Sequence, residues 1–214
     1  MHSAGQQADA VARMGPNAIL QMGAALEQLL GDDARARLYG NAGLAGYLRA
    51  PPGHMVPEVE VQALHAALRA ELAPAVVREL SRRAGSTTGD YLLANRIPKF
   101  AQWLLRALPR RLSARLLATA IRRNAWTFVG SGTFVVSSGT GPGSPPVFVV
   151  RNGPLCRGRT SDGPSCDYYV ATFERLFRQL VDAAATVVEV ECESAGGSCC
   201  RFEVRWGSPR AGAS

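Results

Sequence analysis

Cysteine and histidine are the residues of this 214-residue chain best suited to metal or nucleophilic chemistry, and there are five and three of them. Cys156 and Cys166, Cys192 and Cys199, and the adjacent Cys199 and Cys200 contain no Cys-x-x-Cys spacing. Zinc or iron–sulfur ligation by Cys166, Cys192 and Cys200 therefore requires a fold that converges them. From spacing alone the expectation is small buried core thiols and no bound zinc. His2 stands at the N-terminus, and His54 lies in the Pro- and Gly-rich segment Ala50 to Pro57. His65 flanks an apolar helical stripe, where an edge histidine with satisfied hydrogen bonds is expected. A Ser-His-Asp or Cys-His arrangement thus has little to draw on. No G-x-G-x-x-G follows a strand, and the Gly-rich stretch Ser137 to Pro146 has neither Gly-Lys-Ser/Thr nor a following helix.

A second kind of chemistry is binding. Leu93, Ile97, Phe100, Leu104 and Leu108 recur at the spacing of an apolar helical stripe. Arg96, Lys99, Trp103, Arg106 and Arg110 recur on a neighbouring stripe. An apolar wall with a cationic, aromatic rim suits a large flat apolar ligand that carries carboxylates. The alternative is a core helix with a solvated basic face. From Arg78 to Asn124 there are eleven Arg or Lys and two acids, Glu79 and Asp90, so the formal net charge of +7 is concentrated here. Of the 24 basic residues only Lys99 is lysine. Such an arginine skew fits a GC-rich coding sequence, so the overall charge is discounted as a sign of either a nucleic-acid partner or an anionic membrane surface.

These residues need elements to position them. Asn17 opens a helix with Leu20, Leu26, Leu29 and Leu30 on its buried face, ending at Gly31. A short helix follows over Asp33 to Leu38. Pro57 opens another, with Glu58 and Glu60 in its first turn and Val61, Leu64, Leu68 and Leu72 as its stripe. Pro98 calls for a kink or a fresh helix start, Pro109 stops that helix, and Ser113 to Arg123 forms the next. The period then changes. Trp126, Phe128, Phe134 and Val136 alternate as in a strand, with a bulge or a close approach at Gly130-Ser131-Gly132. Val147 to Arg151 is a second strand. Asp167 or Ser165 caps a helix that buries Val170, Phe173, Phe177 and Leu180. A closing hairpin places Val188, Val190 and Cys192 inward on one strand and Cys200, Phe202, Val204 and Trp206 inward on the other, joined at Gly196-Gly197.

The expected fold is therefore α+β: N-terminal helices packed on a four-stranded antiparallel sheet, in the order helices, two strands, helix, two strands. Residues 1–15 are expected to be a flexible N-terminus, 16–206 one ligand-binding domain (a helical extension over 16–72 and a core over 74–206), and 207–214 a flexible tail. No 18-residue apolar run predicts a transmembrane helix, and the N-terminus lacks the apolar region of a signal peptide. The expected location is the cytoplasm, with reduced thiols.

TGDYLLANRIPKFAQWLLRALP, AWTFVGSGTF, NGPLCRG, CDYYVATFERLFRQLV and the closing C…CCRFEV together resemble the 4-vinyl reductase family of bacteriochlorophyll biosynthesis. That family has a vinyl-reductase small-molecule-binding domain whose fold is related to subunits of the TRAPP vesicle-tethering complex. The resemblance spans roughly residues 15 to 206. The cysteines match the broader domain family, where a metal role is in question. Where the family often has histidine, this chain has Asn124 and Tyr169. Axial ligation of a central magnesium then falls to His54, His65, a water or nothing.

The resemblance implies photosynthetic tetrapyrrole chemistry, with a protochlorophyllide-type magnesium tetrapyrrole as ligand. It also implies a location peripheral to the photosynthetic membrane, a homodimer, and partners among pathway enzymes such as magnesium chelatase. The candidate ligand-binding residues are Tyr91, Asn95, Arg96, Lys99, Phe100, Trp103, Arg106, Trp126 and Phe128, with the slot between the 91–108 helix and a sheet face carrying Trp126 and Phe128. Vinyl reduction needs two electrons, and no nicotinamide, flavin or cluster motif is legible. The expectation is a non-catalytic carrier of the pigment. The alternatives are an 8-vinyl reductase fed by an external donor, and a protein-interaction module.

Overall fold

Prolines punctuate the helical half of the chain. A proline lacks the backbone donor that a helix interior needs, but the first turn tolerates it. In the computed structural model, which describes residues 11–139 and 144–206, Pro74 lies in the first turn of one helix, and Pro16, Pro57, Pro98 and Pro109 each stand immediately before another. The helices are α1 (Asn17–Leu30), α2 (Asp32–Asn41), α3 (Glu58–Glu71), α4 (Pro74–Asn95), α5 (Lys99–Ala107), α6 (Arg110–Arg123), α7 (Trp126–Val129) and α8 (Asp167–Leu180). Short strands β1 (Arg13–Met14) and β2 (Val56–Pro57) pair antiparallel, and Met14 is buried. Four longer strands, β3 (Thr133–Ser138), β4 (Pro146–Arg151), β5 (Thr186–Glu191) and β6 (Cys200–Arg205), form an antiparallel sheet in the order β3-β4-β6-β5. The expected α+β class and antiparallel sheet hold, with the small β1–β2 ribbon in addition. Residues 1–10, 140–143 and 207–214, which include His2, the tip of the Gly-rich stretch and the expected tail, lie outside the described residues.

The sheet does not pack on the 91–123 helices as a block. Its main cover is α8, whose Phe173 and Phe177 meet Phe148 and Phe202 of the sheet, while α6 touches β3 and β4. On its other side α8 is covered by α4. At that crossing a Cβ on Gly85 would stand 2.3 Å from the Tyr168 carbonyl oxygen, and one on Gly89 would stand 2.7 Å from the Arg175 side chain. The two helices touch almost backbone to backbone, and nine of the fourteen residues of α8 are buried.

Several local expectations change in three dimensions. Helix α1 buries Ile19, Met22 and Leu26, while Leu29 and Leu30 stay exposed beyond its packed part. Cys166, rather than Asp167 or Ser165, stands at the N-cap of α8. Trp126 and Phe128 are helical: they lie in α7, a single turn set off from α6 by the break at Asn124. The strand begins only at Thr133. Gly130 (φ +56°) and Ser131 make the turn between them, and Glu58 is what approaches this turn closely. The Glu58 carboxylate accepts hydrogen bonds from the Ser131 N–H and hydroxyl (both 2.8 Å) and pairs with Arg157. Burial alone would raise the Glu58 pKa, but these donors outweigh it and hold the group below its ordinary value. In β5 the phase is reversed: Val187 and Glu189 point inward and Val190 is exposed, and an irregularity between Glu189 and Glu191 then returns Cys192 to the inside. The inward set of β6 (Cys200, Phe202, Val204) is as expected.

Gly85→Ala is expected to lower stability by about 1–2 kcal/mol: overpacking costs about 1–3 kcal/mol and helix propensity returns under 1 kcal/mol. Gly40→Ala, with open space around it in α2, is expected to be neutral or stabilising by a few tenths. Urea unfolding of both variants checks this. Glu58→Gln is expected to cost about 2–3 kcal/mol at neutral pH, because it leaves Arg157 short of its charged partner. The folded-state pKa of Glu58 is depressed, so its contribution is present at neutral pH and is lost as pH falls through and below the ordinary glutamate range. The gap between wild type and variant should therefore narrow in acid, and a gap independent of pH would contradict the assignment.

Candidate functional site

Four cysteines that are far apart in sequence meet in the core. Cys156 comes from the loop after β4, Cys166 from the N-terminus of α8, Cys192 from the end of β5 and Cys200 from the start of β6. Their sulfurs all lie within 4.8 Å of one another and all four residues are buried. The Sγ–Sγ distances are 3.0 Å (156–166), 3.5 Å (156–192 and 156–200), 3.6 Å (166–200) and 3.9 Å (192–200). A tetrahedral zinc with Zn–S bonds of about 2.3 Å holds its sulfurs about 3.8 Å apart. The arrangement fits one small ion better than an iron–sulfur cubane, which sits inside its thiolates and spreads them further.

Around the sulfurs lie polar groups able to orient them. Ser194 Oγ is 3.1 Å from Cys192 Sγ and bonds to Ser161 and Ser165, a supporting shell of the kind that fixes metal ligands. The buried Glu189 carboxylate accepts the Cys166 N–H (2.8 Å) at the start of α8, and burial pushes its pKa up to about 8. Crowding splits the thiol acidities. A hydrogen bond with Cys166 brings Cys156 down to about 7, and hydrogen bonds from Cys156, Cys166 and Cys200 hold Cys192 well below the ordinary value. Cys166 and Cys200 are pushed up, chiefly by their hydrogen bonds to Cys156. Cys156 also lines an open cleft of about 440 Å³, with Asn152, Arg157, Glu193 and Ser198 among its other walls. The condition set by the cysteine spacing, convergence by the fold, is met, and the cysteines are buried thiols as expected. Cys156 was missing from the sequence-derived set, because neither its spacing nor any strand or helix pattern marks it.

The candidate ligand-binding residues are distributed differently from expectation. Helix α5 turns Ala101, Gln102 and Leu105 inward. The buried Gln102 amide donates to the carbonyl oxygens of Leu93 and Ile97 (the latter at 2.8 Å), tying α5 to the end of α4. Phe100 and Trp103 are thereby left 74% and 70% exposed and Leu104 44% exposed. Keeping such side chains in water forgoes about 1.5–3 kcal/mol each. Arg96 and Lys99 are exposed beside them. Tyr91 and Asn95 sit one turn apart on α4, where the Asn95 amide donates to the Tyr91 carbonyl oxygen (2.9 Å). Arg106 reaches across to the Gln179 carbonyl oxygen (2.9 Å).

Trp126 is 61% exposed on α7. Phe128 is turned into an aromatic cluster with Phe134, Tyr169 and Phe173. Among the described residues no ring contact joins Phe100 or Trp103 to Trp126 or Phe128. The slot expected between a 91–108 helix and a strand is therefore replaced by an outward-facing surface, because Gln102 anchors α5 the other way round.

Neither remaining histidine stands ready as an axial ligand. His65 is only 1% exposed, edge-on to Tyr168 at 6.4 Å, and neither ring nitrogen has a hydrogen-bond partner. Burial, with Arg69 and Arg159 nearby, keeps it neutral. The expected satisfied edge histidine is thus an unsatisfied interior one. His54 is exposed in the segment before β2. Asn124 is exposed, and the Tyr169 hydroxyl donates to the Phe128 carbonyl oxygen (2.8 Å). No helix among the described residues is long and apolar enough to cross a membrane.

Protein purified without chelator is expected to carry about one zinc per chain, and removing it should lower stability by about 2 kcal/mol, or about 4–8 °C in Tm. Cys156→Ser should lose the metal. Cys199→Ser should keep it, since that buried thiol is outside the cluster. Metal-free protein whose melting is indifferent to chelator would instead identify the four sulfurs as plain core thiols.

A family model for the 4-vinyl reductase (V-4-R) domain matches residues 146–206, the stretch that supplies all four clustered cysteines. The chain is 46% identical over 192 residues to the bacteriochlorophyll synthase 23 kDa chain of Cereibacter sphaeroides, covering 90% of each. It is 45% identical over 190 residues to the protein of the same description from Rhodobacter capsulatus, covering 89% of this chain and 85% of that one. Among solved structures it is similar in fold to a protein studied for haem redox potential and porphyrin distortion (TM-score 0.52, 13% identity, 94% and 99% coverage). It is also similar to a variant of Tt H-NOX (TM-score 0.50, 13% identity, 94% and 99% coverage). At that identity the likeness concerns the fold alone. The near full-length match at 46% identity is decisive: the chain belongs to the bacteriochlorophyll synthase 23 kDa chain family, the 4-vinyl reductase family of bacteriochlorophyll biosynthesis.

Proposed function

We propose that the protein binds a protochlorophyllide-type magnesium tetrapyrrole and presents it to enzymes of bacteriochlorophyll synthesis without reducing a vinyl group itself. Kinship over nine-tenths of the chain with proteins named for bacteriochlorophyll synthase carries the pathway. That these relatives are described as a chain of a synthase supports association with other pathway enzymes, of which magnesium chelatase is a candidate. The exposed α5 surface supports the ligand class. Phe100 and Trp103 offer rings for stacking, with Tyr91 and Asn95 at the adjoining end of α4, and Arg96, Lys99 and Arg106 offer cations for a propionate. Trp126 and Phe128 would join this site only through a rearrangement that brings α7 towards α5.

The carrier reading follows from the demand for electrons. Reducing a vinyl group takes two electrons that side chains do not supply, and the sequence has no dinucleotide fingerprint. The sulfur spacing in the core suits a single ion without redox chemistry of its own. A reductase fed by a diffusible donor is the competing reading, and one assay separates the two. Purified protein is mixed with divinyl protochlorophyllide and NADPH, with and without reduced ferredoxin, and the pigment is analysed by chromatography. The expected result is tight binding with no turnover, and repeated formation of the monovinyl pigment would defeat it. In vesicle-free buffer, Arg96→Gln with Lys99→Gln is expected to weaken the pigment acid by roughly threefold to tenfold while leaving its methyl ester unchanged. Equal losses for both ligands would remove these two residues from propionate pairing.

A further inference from the structure

We infer that the outward face of α5 and α6 docks the protein onto an anionic lipid bilayer. On α5, Phe100, Trp103 and Leu104 stand on one side at helical spacing and are exposed, and on α6 Leu112 and Leu116 are each 44% exposed. The inward anchor of Gln102 fixes this orientation, so the apolar side cannot turn into the core without breaking its two hydrogen bonds. Around it Arg96, Lys99, Arg111, Arg115, Arg122 and Arg123 have no acidic partner among the described residues, whereas Arg110 is already paired with Asp182. An amphipathic helix with Trp, Phe and Leu on one side and Arg or Lys beside them lies at a membrane interface, rings among the headgroups and cations on lipid phosphates.

Charge decides between a bilayer and a protein partner. The sequence contains no Asp or Glu between Asp90 and Asp162, a stretch that includes both helices. A protein partner would have to offer a matching acidic patch around an apolar centre. Two helices that carry many cations and no acid of their own fit a diffuse anionic plane, where each basic residue adds to the attraction. Docking does not depend on the pigment reading, although the two share α5, and it is tested with lipid alone.

The full-length protein is incubated with pigment-free vesicles of phosphatidylcholine, or of equal parts phosphatidylcholine and phosphatidylglycerol, and bound protein is measured by flotation. Binding is expected only with phosphatidylglycerol and should fall with added salt. Arg111→Glu with Arg115→Glu should reduce partitioning by about tenfold or more. Trp103→Ser with Leu104→Ser should do the same while leaving the melting temperature unchanged, since both residues are exposed. Brominated phosphatidylcholine in the mixed vesicles should quench tryptophan fluorescence, and Trp103→Phe should abolish most of that quenching while the protein still binds. No flotation with the anionic vesicles, equal binding to neutral ones, or quenching that survives Trp103→Phe would each overturn the inference. So would sedimentation showing a dimer that the Trp103 and Leu104 changes dissociate, which would assign the face to a second copy of this chain. Failure in any of these leaves the pigment titration in vesicle-free buffer as a separate result.

Discussion

At Gly85 the backbone of α4 meets the backbone of α8 with no room for a methyl group, and the rest of the structure is arranged around that contact. Two helices that approach so closely exclude water from everything between them. Helix α8 then becomes a central element, with α4 on one side and the sheet on the other. Its aromatic residues serve both neighbours: the Tyr168 hydroxyl bonds to Thr88 on α4, and Phe173 packs on Phe148 and Phe202 of the sheet. Because α8 is held on both sides, its N-terminus is fixed too, and Cys166 is carried to the point where the loop after β4 and the β5–β6 hairpin converge.

That convergence explains otherwise odd features of the closing hairpin. Glu189 and Cys192 both point inward although they stand at an odd spacing, which a regular strand cannot do. The irregularity between Glu189 and Glu191 absorbs the extra residue. It lets one strand supply both a carboxylate for the Cys166 N–H and a sulfur for the cluster. Four sulfurs from four segments make a closed set with no vacant ligand position, which is the pattern of a structural rather than a catalytic ion. The Glu58–Ser131–Arg157 knot works in the same manner at the other end of the cysteine loop. A buried carboxylate from α3 ties the turn before β3 to the residue that follows Cys156. The buried polar groups named here are therefore ties between loops, and the exposed aromatic and cationic side chains lie on α5 and α6.

The orientation of α5 links the interior to the exposed surface. A nine-residue helix between two prolines has little hold of its own on the core. Its single buried polar residue, Gln102, satisfies carbonyl oxygens left open where α4 ends and Pro98 interrupts the hydrogen-bond ladder. Satisfying those groups outweighs burying Phe100 or Trp103, since an unpaired buried carbonyl costs as much as a ring gains. The aromatic and cationic residues are thus presented together on the surface, as either a flat pigment or a lipid surface would require.

Local signals in the sequence determined the places where helices start and stop. Pro57, Pro98 and Pro109 each set a boundary, because a missing N–H acts wherever the residue lies. The inward set of β6, the helical face of Val61, Leu64 and Leu68, and the buried residues of α8 were likewise legible, each being a period that one strand or helix carries by itself. The family was legible too, in runs of residues that match as they stand. Tertiary structure alone decided which side of α5 faces in, since its periodicity says only that two faces differ and Gln102 chooses between them through groups on another helix. It made Trp126 and Phe128 helical where their spacing suggested a strand, and it reversed β5 to bring Glu189 to the start of α8. It also gathered Cys156, Cys166, Cys192 and Cys200, which share no motif because their ligand-like geometry comes from four elements packed around one buried helix. Contacts across tens of residues depend on that packing, and no window of sequence contains it.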